Sequence, residues 1–403
     1  MIAAQKTDDS SDRSRGGSCR ILIGESGCSC NQVNDVGMSF SIRPLLFLSL
    51  PVLAFGLQVA VPAGTATQYE TASAAQASPP DVVEGRIKLD VVVTDKSGKP
   101  VSGLDLKDFA LLDNNLPAKI LSFQAIDGTV RPTGTGQAAD HRVEVILLLD
   151  TVNVDFQQVA AERQEIARFL RLKGGHLAQP MSVYLFAKDG VQFQSDPSAD
   201  GNAVAAALNQ VDGQLRAINR AQGAWGDLDR VLLSIRNLDS IAQTEENSPG
   251  LKILIWVGPG WPMLDSSRFQ SSSSKGQEQL FDSIVELSNS LREAHIALYS
   301  ISAGQTGSGT FLYEDFLKGV KSAQKASPSN LGLKVLAIQS GGRVLPPSND
   351  LASEIDSCIQ DANAFYTISF DPPRADKANE YHDLKVVVDK PGLKALTNTG
   401  YYN

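Results

Sequence analysis

The residues best placed to do chemistry stand at the end of one apolar run. Val143-Glu-Val-Ile-Leu-Leu-Leu-Asp150 leads directly into Thr151, Asn153 and Asp155, so oxygen-bearing side chains crowd a single strand-to-helix turn. Oxygen ligands suit a hard divalent cation such as Mg or Mn, and Asp150 with Asn153 is the candidate pair for holding one. A second reading stands beside it, because an Asp and an Asn at such a turn commonly bond nearby backbone N–H groups. Further along, Trp261 follows another apolar run, Leu251 to Gly258, and is either an aromatic anchor for a partner or a piece of satellite core.

Other chemistry is sparse. His141, His176, His295 and His382 are far apart, and no HExxH, CxxC or Cys/His spacing offers a zinc site. No GxGxxG or GxxxxGK follows a strand, and no GxSxG elbow is present. An enzyme would need a nucleophile such as Ser308 brought to a distant His by the fold, which nothing in the spacing favours. The expectation is therefore no catalytic residue.

The elements that must position the Asp150 turn are legible. Apolar runs at 143–150, 181–187, 251–258 and 295–302 read as parallel strands buried on both faces. Between them lie amphipathic helices: Phe156, Val159, Ile166, Phe169 and Leu170 form one stripe, Leu228, Val231, Leu232, Ile235 and Leu238 a second, Leu280, Ile284, Leu287 and Leu291 a third. Asp155 caps the first helix, with Gln158 at the capping-box position. Gly190 to Ser195 reads as an antiparallel edge hairpin. This is a doubly wound, mostly parallel α/β sheet, whose ligands bind at the carboxyl ends of the strands. The long connection from Ala303 to Asn330 lies at that end.

The flanks differ. Ile87, Leu89, Val91 and Val93 alternate with polar residues, and turns follow at Asp95 to Gly98 and Asp113 to Asn115. Short strands are expected again at 366–370, 383–389 and 394–397. Too few strands lie on either flank to stand alone, so both ends are expected to pack as one small antiparallel β domain with the α/β part inserted.

Composition agrees with an ordinary folded chain. The 403 residues are 42% hydrophobic and 20% charged, enough for two or three domains at about 150 residues each. A net charge of -9 argues against a nucleic-acid partner, which needs clustered Lys and Arg. Cys19, Cys28 and Cys30 precede the folded part, leaving Cys358 on an apolar stripe with Leu351, Ile355 and Ile359, as a buried small residue or, in the rival reading, a reactive thiol.

Leu45 to Val61 is uncharged and follows Arg43, the order of a secretory signal, with a cleavage site after Ala66. An uncleaved anchor is the alternative and the only expected route to a membrane; Pro51 interrupts the run, which is shorter than the roughly 20 residues of a comfortable span. Translation is expected to start at Met38 rather than Met1. The resulting layout is a polar extension (1–37), a signal peptide (38–66), a linker (67–80), a first β part (81–127), a linker (128–142), the α/β domain (143–363) and a second β part (364–403).

Several segments resemble a known family. Leu89 to Gly98, Gly103-Leu-Asp-Leu-Lys-Asp-Phe109, Ile146 to Asp150, Ile253-Leu-Ile-Trp256, Gly341-Gly342-Arg343 and Gly400-Tyr401-Tyr402 together resemble von Willebrand factor type A domain proteins, closest to the exported A-related proteins of Acidobacteria. The resemblance spans about residues 85 to 402. It implies binding rather than catalysis, an unidentified protein partner, and a location in the periplasm, on the cell surface or outside. It also implies a metal-ion-dependent adhesion site of Asp-x-Ser-x-Ser, a Thr on a second loop and an Asp on a third. Here Asp150 is kept, but Val152 and Val154 replace the serines, residues 220–227 contain no Thr, and Val257-Gly-Pro-Gly-Trp261 contains no Asp. The expectation is an exported adhesion-type module with a degenerate metal site, its partner met by Asp150, Thr151, Asn153, Asp155 and Trp261. The alternative is an envelope scaffold with no ligand at that face.

Overall fold

The computed structural model describes residues 85–128, 142–188, 190–193, 196–210, 224–264, 273–302 and 312–403. The expected extension, signal segment and first linker, together with His141, Ser308 and residues 220–223, lie outside the described residues.

The central sheet is built from the apolar runs. Strands β5 (Val143–Asp150), β6 (His176–Ala187), β9 (Leu251–Val257) and β10 (Ile296–Ile301) run parallel in the order β10-β9-β5-β6. An antiparallel edge of β7 (Gly190–Phe193) and a short β8 (Ser198–Asp200) pair with β6. β6 begins earlier than its apolar run, because β8 pairs with its polar start at His176.

Alternation along the strands sorts side chains into two cores. Val145, Leu147 and Leu149 face the same side as Ile253, Ile255 and Val257, covered by α1 (Phe156–Leu170), α2 (Gly201–Asn209) and α6 (Leu351–Gln360). Ile146 and Leu148 face the opposite side with Leu254 and Trp256, covered by α3 (Ala224–Glu245), α4 (Ser274–Glu293) and α5 (Leu333–Gln339). Each fully buried aliphatic side chain contributes about 1.5–3 kcal/mol, so the sheet is a rigid platform for whatever stands at its strand ends. The stripe expected on α3 departs at Leu232, which is 43% exposed on the outer side of the helix.

Two antiparallel sheets complete the structure. β1 (Ile87–Thr94) pairs with β11 (Ala364–Phe370) and β13 (Lys394–Leu396), and β11 also pairs with β4 (Ser122–Asp127). In the other, β12 (Tyr381–Val388) lies between β2 (Phe109–Asp113) and β14 (Gly400–Tyr402), with β3 (Leu116–Ala118) outermost beside β2. Leu89, Val91, Tyr366 and Ile368 from the first sheet meet Leu111, Leu384, Val386 and Tyr401 from the second in one core. Strands from both flanks of the chain therefore share both sheets.

The Gly341-Gly342-Arg343 segment has a packing reason. A Cβ on Gly342 would stand 2.0 Å from the carbonyl oxygen of Leu298, so only glycine lets this backbone lie against β10. Arg343 then reaches Asp361 at 2.9 Å, and Tyr299 donates to the same carboxylate at 2.9 Å. Cys358 is fully buried in the core under α6, and burial pushes its thiol pKa up, which makes it a packing residue and not a reactive one. Among the described residues no helix is long and apolar enough to cross a membrane.

Candidate functional site

The carboxyl end of β5 delivers Asp150 to the centre of the sheet. Period-two alternation sets its side chain on the face of Ile146 and Leu148, the face that Trp256 of β9 also occupies. Asp150 is 0% exposed. Its Oδ1 accepts from the backbone N–H of Val152 and of Asn153, each at 2.9 Å, closing the turn on itself. Its Oδ2 accepts from Asn153 Nδ2 at 2.9 Å and from the indole Nε1 of Trp256 at 3.0 Å.

Four donors therefore occupy the acceptor positions of one carboxylate. Burial pushes its pKa up, and the bonds from Asn153, Trp256 and Val152 oppose that rise. Gly258, at φ 135°, brings the third loop so close that a Cβ there would lie 3.0 Å from Asp150 Cβ. Neither oxygen of Asp150 is left exposed.

The flanking residues are likewise committed inward. Thr151 donates its hydroxyl to the Phe186 carbonyl at 2.7 Å. Val152 and Val154 are buried in the two opposite cores, apolar wedges where the family resemblance expects serine ligands. Asn153 also donates to Ser234 Oγ of α3 at 3.2 Å, and its own Oδ1 is buried without a partner among the described residues. Asp155 is exposed and caps α1 by accepting from Gln158 N at 2.9 Å. The expected capping box is incomplete, since Gln158 turns its side chain forward to Glu162 at 2.9 Å.

Two expectations are corrected. Trp261 is no exposed anchor: it is 4% exposed, donates Nε1 to the Leu331 carbonyl at 3.0 Å, and meets Trp256 edge-on at 5.2 Å. The apolar loop at 257–264 folds down onto the sheet because the large indole gains more from burial there than from exposure. Asp150, placed among the partner-contacting residues, is out of reach of any partner. Of the expected set, Asp150, Thr151 and Asn153 do converge, and Asp155 stands on the rim.

Glu162 was not anticipated. It lies on the apolar stripe of α1 between Val159 and Ile166, is 1% exposed, and burial raises it to about 7, with Asp150 and Asp155 adding to the rise. A carboxylate at a core position of an amphipathic helix is the signal that would have found it. Among the described residues no group of three or more His, Cys, Asp or Glu side chains could hold a metal ion.

Comparisons with known proteins give a coarse likeness. No family model matches the chain, and no curated protein matches it. Solved structures to which the chain is similar include the human COPII-coat protein Sec24c, with 9% identity and a TM-score of 0.30, covering 65% of this chain and 43% of that one. Proximal thread matrix protein 1 from the mussel byssus shares 12% identity at a TM-score of 0.32, over 68% of this chain and 50% of that one. The SpRpn10 VWA domain shares 13% identity at a TM-score of 0.27, over 53% of this chain and 93% of that domain. The chain thus spans about half the length of the first two. The mixed α/β architecture, with its mostly parallel sheet and separate antiparallel sheets, is compatible with a von Willebrand A-like fold. At these low TM-scores the reading of the site rests on this chain's own geometry.

Proposed function

We propose that the chain is an exported, non-catalytic protein-interaction module of the adhesion type, working without a metal ion. A von Willebrand A-like domain over 143–363 interrupts a β module formed by 81–127 and 364–403, a layout supported by the pairing of β1 with β11. The observation that carries the reading is the saturated Asp150 carboxylate, with the Trp256 indole among its donors. Such a carboxylate keeps the strand-end loops in register and has no lone pair of its own left for a cation. Partner contacts then belong to the exposed rim of the same face, where Asp155 stands. The alternative is an envelope scaffold with no ligand at this face, favoured by the burial of both Asp150 and Trp261.

The test has two arms. Thermal unfolding of the full chain in EDTA and then in millimolar Mg, Mn or Ca is expected to give one Tm. A site bound at a hundredfold excess would add about 2.7 kcal/mol, so a cation-dependent rise abolished by Asp150→Ala would restore a metal site and overturn the reading. A photo-cross-linking residue at position 155, used on intact cells in EDTA, separates module from scaffold. Capture of a distinct protein supports the module, and no adduct supports the scaffold.

A further inference from the structure

The two antiparallel sheets end unevenly. The ring of Phe109 on β2 meets that of Tyr366 on β11 at 5.0 Å and that of Phe123 on β4 at 5.2 Å, so β2 lies beneath the β11–β4 pair. β3, one strand further out, therefore reaches past β4. Leu116 of β3 stands opposite Asp113 of β2 and shares its face. That face is the inner one: Asp113 meets His382 Nδ1 at 2.8 Å and the Tyr401 hydroxyl at 2.7 Å, and Leu111, two residues earlier, lies in the core between the sheets. Leu116 is nevertheless 71% exposed, because the first sheet stops before covering it. With Leu121, 38% exposed, it lines an open groove of about 440 Å³ at the start of β4.

The outer side of β4 is equally unfinished. Gly128 N donates to the Asn363 carbonyl at 3.1 Å, in the register that pairs Ser122 with Ser369, so Ser122, Gln124 and Ile126 bond β11. Phe123 and Ala125 turn their N–H and C=O groups the other way, and no described strand pairs with that side. The other outer strands are short or blunted. The two-residue turn at Asn114-Asn115 makes Asp113 and Leu116 a bonded pair, so the ring of Pro117 stands where β3 would offer an outward donor. β10 is sealed by bonds from Ser300 to Arg343 and Leu345, and β7, β13 and β14 have only three or four residues. β4 has six, with no Pro, Lys or Arg among them.

We propose that a second copy of this chain occupies the edge, its β4 antiparallel to the first about a two-fold axis through Gln124. Phe123 of each copy then faces Ala125 of the other, and the two pairs exchange about four N–H···O bonds. Charge selects this occupant. Over residues 119–128 the charged side chains are Lys119 at one end and Asp127 at the other, both exposed. Antiparallel pairing brings Lys119 of each copy toward Asp127 of the other, whereas parallel pairing would oppose like charges at both ends. A strand from a different protein would have to carry a cation and an anion at this spacing in reverse order; the chain itself already does. The added strand also extends the first sheet over Leu116 and Leu121 and takes their apolar surface out of water. This edge is independent of the reading at Asp150.

Sedimentation equilibrium of the full chain from about 1 to 100 μM tests the proposal, and a monomer–dimer equilibrium is expected. Ala125→Pro removes only an outward N–H, a change that an edge strand accommodates; it should weaken the dimer at least about tenfold while the far-UV circular dichroism stays that of wild type. Lys119→Glu should weaken it about tenfold, and adding Asp127→Lys should restore it to within about threefold. Gln124→Cys places two thiols where facing Cα atoms approach to about 4.5 Å, so mild oxidation should give a disulfide between copies, mapped by mass spectrometry to position 124 of both, and Ser122→Cys should give none. A single-chain mass throughout, a dimer indifferent to Ala125→Pro and Lys119→Glu, or a charge exchange that restores nothing would each overturn the proposal. So would a Gln124→Cys disulfide formed within one chain or with a different protein, since either gives the edge another occupant.

Discussion

The indole of Trp256 donates Nε1–H to Asp150 Oδ2 at 3.0 Å across the neighbouring strands β9 and β5. Taking a carboxylate out of water is costly unless donors replace the water, and here a core aromatic supplies one of them. The bond therefore ties the hydrophobic interior to the strand-end turn.

Trp256→Phe keeps most of the packing and removes the donor. It should destabilise the chain by about 1–3 kcal/mol, the cost of leaving one buried acceptor short. Urea unfolding of Trp256→Phe, Asp150→Asn and the double variant measures the coupling. Strict additivity would show that the bond contributes nothing.

Glu162 makes stability depend on pH. Burial raises its carboxyl from an ordinary 4.5 to about 7. The folded chain thus holds this proton more tightly than the unfolded chain, so the contribution is complete below about pH 4.5 and is lost as the pH rises to about 7. Glu162→Gln removes that loss. The unfolding free energy of the variant relative to wild type should climb across this window by on the order of 2 kcal/mol and then level off, as read by denaturant curves from pH 4.5 to 8. A difference that stays flat would mean that the side chain is solvated.

Trp261 and Asp155 should separate stability from recognition. Trp261→Ala opens a cavity against the Trp256 indole and is expected to cost about 3–5 kcal/mol. Asp155→Ala removes one exposed helix cap and should cost about 1 kcal/mol. Calorimetric unfolding of both tells whether a binding defect at either position is a folding defect, and near-equal losses would contradict the burial of Trp261.

Gly342→Ala forces a Cβ against the Leu298 carbonyl oxygen, a backbone atom that cannot step aside. The variant should lose several kcal/mol, enough to remove most of a domain's margin. Soluble yield and Tm report it, and a variant with wild-type Tm would show that α5 and β10 are free to separate.

Periodicity carried most of what was legible. Near-continuous apolar runs marked the parallel strands, and the alternation of Ile87, Leu89, Val91 and Val93 marked β1, because burial on two faces and on one face leaves different spacings. The turn at Asp150 was legible as a cluster of polar side chains, but its meaning was not. Whether a carboxylate opens to solvent or closes on itself is decided by Trp256, which is distant in sequence and reads as one more core residue in β9. Trp261 escaped for the same reason, since a large aromatic beside a glycine-rich loop fits both a surface anchor and a folded-down cover. His382 and Asp113, 269 positions apart, are brought together by strand pairing that no local spacing encodes.

That pairing also sets a schedule for the chain. Val91 finds its partner Tyr366 only after nearly all of the intervening polypeptide exists, on the order of tens of seconds at about 5–20 residues per second. Until then β1 is a row of Val and Ile with unmet backbone groups, the kind of segment that chaperones hold and proteases find. The quality of the finished fold is thus decided by residues 364–403, and a ribosome that stops short of them releases an open seam instead of a smaller protein.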